Sequence, residues 1–183
     1  MRGRAERRIL SALREGRREA YEAIIDAHYA SVYRFLVLLT HDGSLAEDLT
    51  QEVFTAAWKG LDGFEGRASI KTWLHRIAYN AFVDNQRQQG RRAACAEAID
   101  RRCRESVSDP VASLETAEDL IRVRDALEGL EMDDRSVLVL HYVEGLSYRE
   151  MADVLDRPSG TVKWLTGRAL ARLRRQLTGK AQP

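Results

Sequence analysis

Between Tyr21 and Leu39 the side chains Tyr21, Ile24, Ile25, Tyr29, Val32, Phe35, Leu36 and Leu39 recur three and four residues apart. That spacing lines them along one side of an α-helix and makes them a core stripe. Nowhere does the chain sustain the apolar/polar alternation that a strand requires, and it has only three prolines in 183 residues. The expectation is an all-α protein. No window approaches the roughly 18 consecutive apolar residues of a membrane span, and the start Met1-Arg2-Gly3-Arg4 leads into a helical pattern instead of a signal peptide. A cytoplasmic protein is expected.

The same periodicity divides the chain. A basic helix is expected over about Glu6 to Glu19, with Ile9, Leu10 and Leu13 on one side, and a second helix over Ala20 to Thr40. Ser44 and Glu47 have the spacing of a capping box, starting a third helix that runs to about Gly60. Leu45, Leu49, Val53, Ala57 and Leu61 stack on its inner side, leaving Glu47, Asp48, Gln51, Glu52 and Thr55 outside. The glycines of Gly63 to Ala68 mark a loop, after which Ser69 caps a fourth helix to about Arg87. Its inner residues are Ile70, Trp73, Leu74, Ile77, Ala78 and Ala81; Trp73 reads as core, and Phe64 stays open between core and ligand. From Gln86 to Ser113 the hydrophobic period dissolves. The expected organisation is therefore two small helical domains, 20–90 and 114–178, joined by a flexible linker at 91–113, with a basic helix at 1–19 and a tail at 179–183.

In the second half, helices are expected at Leu114 to Leu130 and Arg135 to Val143, the latter ended by Gly145. Ser147 and Glu150 form another capping box, starting a short helix whose Met151, Val154 and Leu155 point inward. The turn Asp156-Arg157-Pro158-Ser159 follows, with Ser159 placed to cap a final helix through about Leu177. Two short helices so joined are a helix-turn-helix. In that unit the start of the second helix reaches base edges, which nominates Ser159, Thr161, Lys163 and Trp164, while Arg149 and Arg157 fall where phosphates lie. The net charge of +1 conceals segregation. From Arg157 onward come Lys163, Arg168, Arg172, Arg174, Arg175 and Lys180 with no acid, a polyanion-binding run. Just upstream, Glu115, Glu118, Asp119, Asp125, Glu128, Glu131, Asp133 and Asp134 predict an acidic face suited to protein partners.

Catalysis finds little support. The four histidines, His28, His41, His75 and His141, sit in no HExxH arrangement, and the chain has neither a phosphate-cradling glycine loop nor a nucleophile elbow. Cys95 and Cys103 match no zinc spacing, which leaves incidental thiols or a redox pair. No metal or cofactor is expected. On the residues alone, a stand-alone helix-turn-helix repressor or activator, with the first half as a dimerisation or sensing domain, stays open.

Gly145-Leu146-Ser147-Tyr148-Arg149-Glu150-Met151-Ala152, followed by Gly160-Thr161-Val162-Lys163 and Arg168-Ala169, resembles the C-terminal DNA-binding domain of bacterial sigma factors of the sigma-70 family. Ala46-Glu47-Asp48-Leu49-Thr50-Gln51-Glu52-Val53-Phe54 and Thr72-Trp73-Leu74-His75-Arg76-Ile77-Ala78-Tyr79-Asn80 resemble the N-terminal domain of the extracytoplasmic-function group. The resemblance spans Tyr21 to Arg175. It implies a factor that docks on core RNA polymerase and brings it to promoters, with polymerase supplying the chemistry. It further implies that Asp48, Gln51, Glu52 and Phe54 grip polymerase. The Phe64 to Lys71 loop, including Arg67, together with Arg76, Asn80, Asp84 and Arg87, would read and open the minus-10 element. Arg149, Arg157, Ser159, Thr161, Lys163, Trp164 and Arg168 would read the minus-35 element in duplex DNA. An anti-sigma partner is implied as well, commonly membrane-anchored in this group, which would hold the chain at the inner membrane face. The chain departs from the family's usual Ser-Arg-Leu run at Trp164-Leu165-Thr166-Gly167. That loses an arginine suited to guanine, leaves Trp164 or Leu165 for thymine methyls or the sugar-phosphate wall, and shifts the expected minus-35 preference, with a larger share of binding from phosphates.

Overall fold

The computed structural model describes residues 18–95 and 123–179. The basic helix expected over Glu6 to Glu19, apart from its last two residues, lies outside them, as do most of the expected linker, the first part of the helix expected from Leu114, and Cys103. The described residues contain helices and no strand: α1 (Arg18–Thr40), α2 (Gly43–Gly60) with a 3-10 turn (Leu61–Gly63), α3 (Ile70–Cys95), α4 (Met132–Leu138) running into a π-helical turn (Val139–Val143), α5 (Tyr148–Leu155) and α6 (Ser159–Gly179). A helical piece at 123–127 precedes α4. Helices α1 to α3 form one unit and α4 to α6 another, and α1 and α3 of the first pack against the π turn and α5 of the second.

Helix α1 is long and apolar enough, by length and composition, to cross a membrane. Its surroundings explain that composition. From Val32 to Leu39 every residue but Arg34 is buried, because α2 and α3 cover one side and the π turn and α4 another. A helix that is apolar all round is buried, in a protein core or in a membrane, and over Val32 to Leu39 what surrounds it here is protein. The sequence stripe extended to Tyr29, which instead lies 39% exposed at the rim. Ala46, Leu49, Val53 and Ala57 of α2 and Ile70, Leu74, Ala78 and Phe82 of α3 complete this core. It runs without a break into that of the second unit, built from Val137 to Leu140, Leu146, Met151, Val154, Leu155, Val162, Leu165 and Ala169.

Several boundaries differ from the sequence reading. The α2 cap is Asp42, whose side chain accepts from the Leu45 amide at 3.1 Å, so Ser44 already lies in the first turn and the expected Ser44–Glu47 box does not form. Ser69 does cap α3, accepting from the Thr72 amide at 3.0 Å, but the helix continues past Arg87 to Cys95. Helix α4 starts at Met132 instead of Arg135 and widens where a plain helix was expected: the Glu144 amide donates to the Val139 carbonyl at 2.9 Å, an i→i+5 bond. Gly145 (φ 67°) then turns the chain, and the Leu146 amide reaches back to Leu140 at 2.9 Å. The Ser147–Glu150 capping box forms in full. Asp156, in the left-handed conformation at φ 52°, ends α5. The Pro158 carbonyl accepts from the Val162 amide at 3.0 Å, making Ser159 the first residue of α6 and not its cap.

His41 closes α1 in the left-handed region (φ 57°), with its amide on the Val37 carbonyl at 3.0 Å. Burial, then the positive charge of Arg135 and Arg124, lowers its pKa from 6.5 to about 4. The unfolded chain therefore takes up a proton near pH 6.5 that the folded chain refuses until near pH 4. Stability held in full above pH 6.5 is lost as pH falls through that window. His41→Asn, a residue that tolerates positive φ, is expected to flatten the urea-midpoint profile between these limits. A variant profile as steep as the parent's would contradict it.

Candidate nucleic-acid interface

The acidic stretch before α4 and the basic run of α6 were expected to face different partners. Glu131, Asp133 and Asp134 instead face Arg157, Arg168 and Arg172, while Glu115, Glu118, Asp119 and Lys180 lie outside the described residues. Asp134 has no exposed surface and takes Arg168 (2.6 and 3.2 Å) and Arg172 (2.6 Å) on its carboxylate. Glu131 adds a second contact to Arg172 at 3.1 Å, and Asp133 pairs with Arg157 at 2.8 Å. This brace ties α6 back to α4: Glu131, Asp133 and Asp134, expected on a partner-facing surface, are counter-charge to arginines of the same chain, and Arg157 and Arg168, expected at DNA, carry carboxylate partners.

The start of α6 is open. Ser159, Gly160, Thr161, Lys163 and Trp164 are exposed, as is Arg149 on α5. Trp164 is 62% exposed, with the Arg168 guanidinium 5.0 Å from its ring centroid. Leu165, weighed beside Trp164 for thymine methyls, is buried in the core, and Thr166 turns inward to donate to the Val162 carbonyl at 2.8 Å. Of the unusual run, only Trp164 and Gly167 reach solvent.

On α3, Arg76, Asn80, Asp84 and Arg87 form an exposed stripe opposite Leu74, Ala78 and Phe82, with Arg87 and Asp84 paired at 3.4 Å. Arg67 is exposed in the preceding loop and pairs with Glu65. The other two loop candidates are placed differently. Phe64 is 9% exposed and packs on the partly buried Trp73 with centroids 4.6 Å apart, so in this structure it lies at the edge of the core. Lys71 is engaged by Glu144: its Nζ donates to the Glu144 carbonyl at 2.5 Å and lies 3.1 Å from Oε2.

Glu144 itself escaped the sequence reading. Its carboxylate is enclosed by Ser31 and Arg34 (2.9 Å) of α1 and by Lys71 and His75 (3.5 Å) of α3. Burial alone would push its pKa up; the hydrogen bond and charge of His75, then Arg34 and Ser31, hold it well below the usual carboxylate range. No local signal marks such a residue, since its partners come from a distant part of the chain.

Asp48, Gln51 and Glu52 are exposed along α2 beside Glu47 and Thr55. Phe54 turns the other way: it is buried, Tyr29 stacks on it at 5.9 Å, and its carbonyl accepts from the Tyr21 hydroxyl. Trp58, one turn on and 53% exposed, packs edge-on against Tyr21 at 4.7 Å. The outer side of α2 thus carries carboxylates next to exposed aromatic surface, and Tyr29 and Trp58 are additions that the stripe analysis missed.

The comparisons agree with this order of surfaces. The sigma-70 region 2 model matches residues 24–92 and the sigma-70 region 4 model residues 120–173. The chain is 32% identical over 175 residues to the ECF RNA polymerase sigma factor SigM of Mycobacterium tuberculosis, covering 95% of this chain and 85% of the relative. It is 30% identical over 184 residues to the ECF RNA polymerase sigma-E factor of Escherichia coli, covering 96% and 93%. Among solved structures, the sigma factor RpoE of Bartonella quintana, in complex with the anti-sigma factor NepR, superposes with a TM-score of 0.73 at 28% identity over 88% of this chain and 98% of that one. With both regions matched in sequence and in fold, the chain belongs to the extracytoplasmic-function group of the sigma-70 family, the factors that direct core RNA polymerase to specific promoters to initiate transcription.

Proposed function

We propose the following division of labour within this sigma factor. The α2 face of Asp48, Gln51 and Glu52, bordered by Tyr29 and Trp58, docks on core polymerase, with Phe54 supporting it from beneath. The α3 stripe of Arg76, Asn80, Asp84 and Arg87, with Arg67, follows the minus-10 element; Phe64 and Lys71 join it after a rearrangement. Arg149, Ser159, Thr161, Lys163 and Trp164 meet the minus-35 duplex, and Arg157 and Arg168 act mainly by bracing α6. Residues 20–90 and 114–178 are the working units, joined by 91–113. The observation that carries this reading is that the α2, α3 and α6 faces are all exposed on one chain in the order of the two family regions.

The chain supplies recognition and polymerase the catalysis, so it is not itself an enzyme, and its place of work is the cytoplasm. The Bartonella quintana relative, solved with NepR bound, supports an anti-sigma partner for this chain too, one that would hold it at the membrane's inner face if anchored there. Run-off transcription on a promoter library with core polymerase tests the assignment. Transcripts are expected only when both are present, and the double variant Asp48→Lys/Glu52→Lys is expected to weaken core binding about tenfold with helicity unchanged. Tight binding of a palindrome by the chain alone, with no response to core, would favour the repressor instead.

A further inference from the structure

We propose that Glu144 is a latch that holds the two units closed, and that the chain must release it to engage both promoter elements. The proposal rests on the assignment of α3 to the minus-10 element.

The site is built like a receptor. One carboxylate of the second unit, without exposed side-chain surface, enters a pocket whose walls, Ser31, Arg34, Lys71 and His75, all belong to the first. The π turn aims it: the extra residue in that turn and the reversal at Gly145 put Glu144 under α1 and α3. Bonds beside it run between the same units. Thr72 Oγ1 lies 3.5 Å from Glu150, and Arg135 donates to the Leu39 carbonyl at 2.7 Å. A buried charge cluster adds little net stability when complete and costs much when one partner is removed, which suits a catch better than a glue.

Closure is selective in what it hides. Thr72 and His75, at the start of α3, are buried and Lys71 is drawn onto Glu144 with 33% of its side chain in water, whereas the α2 face, the α3 stripe and the start of α6 stay open. The closed chain therefore offers its polymerase face but not a complete minus-10 surface. Promoter geometry also requires release. By their names the minus-10 and minus-35 elements lie about 25 base pairs apart, roughly 85 Å of duplex at ~3.4 Å per pair, while here α3 and α5 touch. Residues 96–122, at most ~3.3–3.6 Å each when extended, can bridge that distance. Polymerase would meet the closed chain, and opening would follow.

Full-length protein carrying Ala23→Cys and Ala171→Cys, both exposed sites, in a Cys95→Ser/Cys103→Ser background reports the separation of the units by energy transfer between attached dyes. Transfer in the parent is expected to fall when core polymerase is added. Glu144→Gln and Arg34→Glu are each expected to lower transfer in the free chain and to tighten core binding fivefold or more, because the opening that follows docking no longer draws on the binding free energy. Arg34→Glu attacks the latch from the first unit, so it decides the matter if Glu144→Gln impairs folding, as read from circular dichroism. Parent-like transfer in a helical Arg34→Glu protein would overturn the latch. Opening without a gain in core affinity would overturn the claim that closure opposes assembly, and leave the α3 assignment to be judged by transcription.

Discussion

Asp134→Ala is expected to destabilise the second unit by about 2–3 kcal/mol, read as a loss of helicity at lower urea than in the parent. The reasoning starts from the fully buried carboxylate, which receives Arg168 and Arg172 and anchors α6 to α4. Its removal leaves a cavity, strands Arg168 and leaves Arg172 with Glu131 alone. The two arginines keep 30% and 35% of their side-chain surface in water, so they rehydrate in part, and the cost falls below that of a wholly buried orphan charge. Asp134→Asn, which preserves shape but not charge, is expected to lose less. If both variants melt with the parent, the brace contributes nothing and α6 is held by Val162, Leu165 and Ala169 alone.

Trp164→Ala is expected to reduce transcription from a cognate promoter by about tenfold or more, corresponding to ~1–3 kcal/mol of lost base contact, with no change in core binding. The indole stands 62% exposed on the face where a helix-turn-helix meets base edges, and the Arg168 guanidinium beside it is tied to Asp134. That leaves an apolar plane as the reader at this position, with guanine contacts left to Lys163 and Arg149. A base-substitution scan should accordingly find thymine preference opposite Trp164 and lose it in the variant. Strong guanine dependence at the Trp164 to Arg168 contacts would contradict this.

What the sequence disclosed follows the range of the forces involved. Helical period, the Ser69 cap and the Ser147–Glu150 box are local, involving residues three or four apart, and the structure reproduces them. The cap of α2 is an exception: the spacing of Ser44 and Glu47 points to Ser44, but Asp42, which follows the left-handed turn at His41, holds that position. Charge patterns misled for a physical reason. A row of acids followed by a row of bases reads as two faces, but when the chain folds back on itself the rows neutralise each other, as Asp133 and Asp134 do with Arg157 and Arg168. The exposed stripe from Arg76 to Arg87 was legible because helix offsets fix it, whereas the engagement of Lys71 depends on Glu144, brought in from the other unit.

The brace between α4 and α6 also bears on how the protein moves through a cell crowded with DNA. Binding to arbitrary duplex is driven by the release of counterions as cationic side chains replace them at phosphates. In this chain Arg157, Arg168 and Arg172 already have their counter-ions, supplied by its own carboxylates. With those arginines neutralised by acids at the start of α4, the second unit is expected to gain less from a random stretch of genome than its run of basic residues suggests. Its encounters with DNA then become productive chiefly when polymerase holds it over a promoter, and the search for a site is left to the holoenzyme.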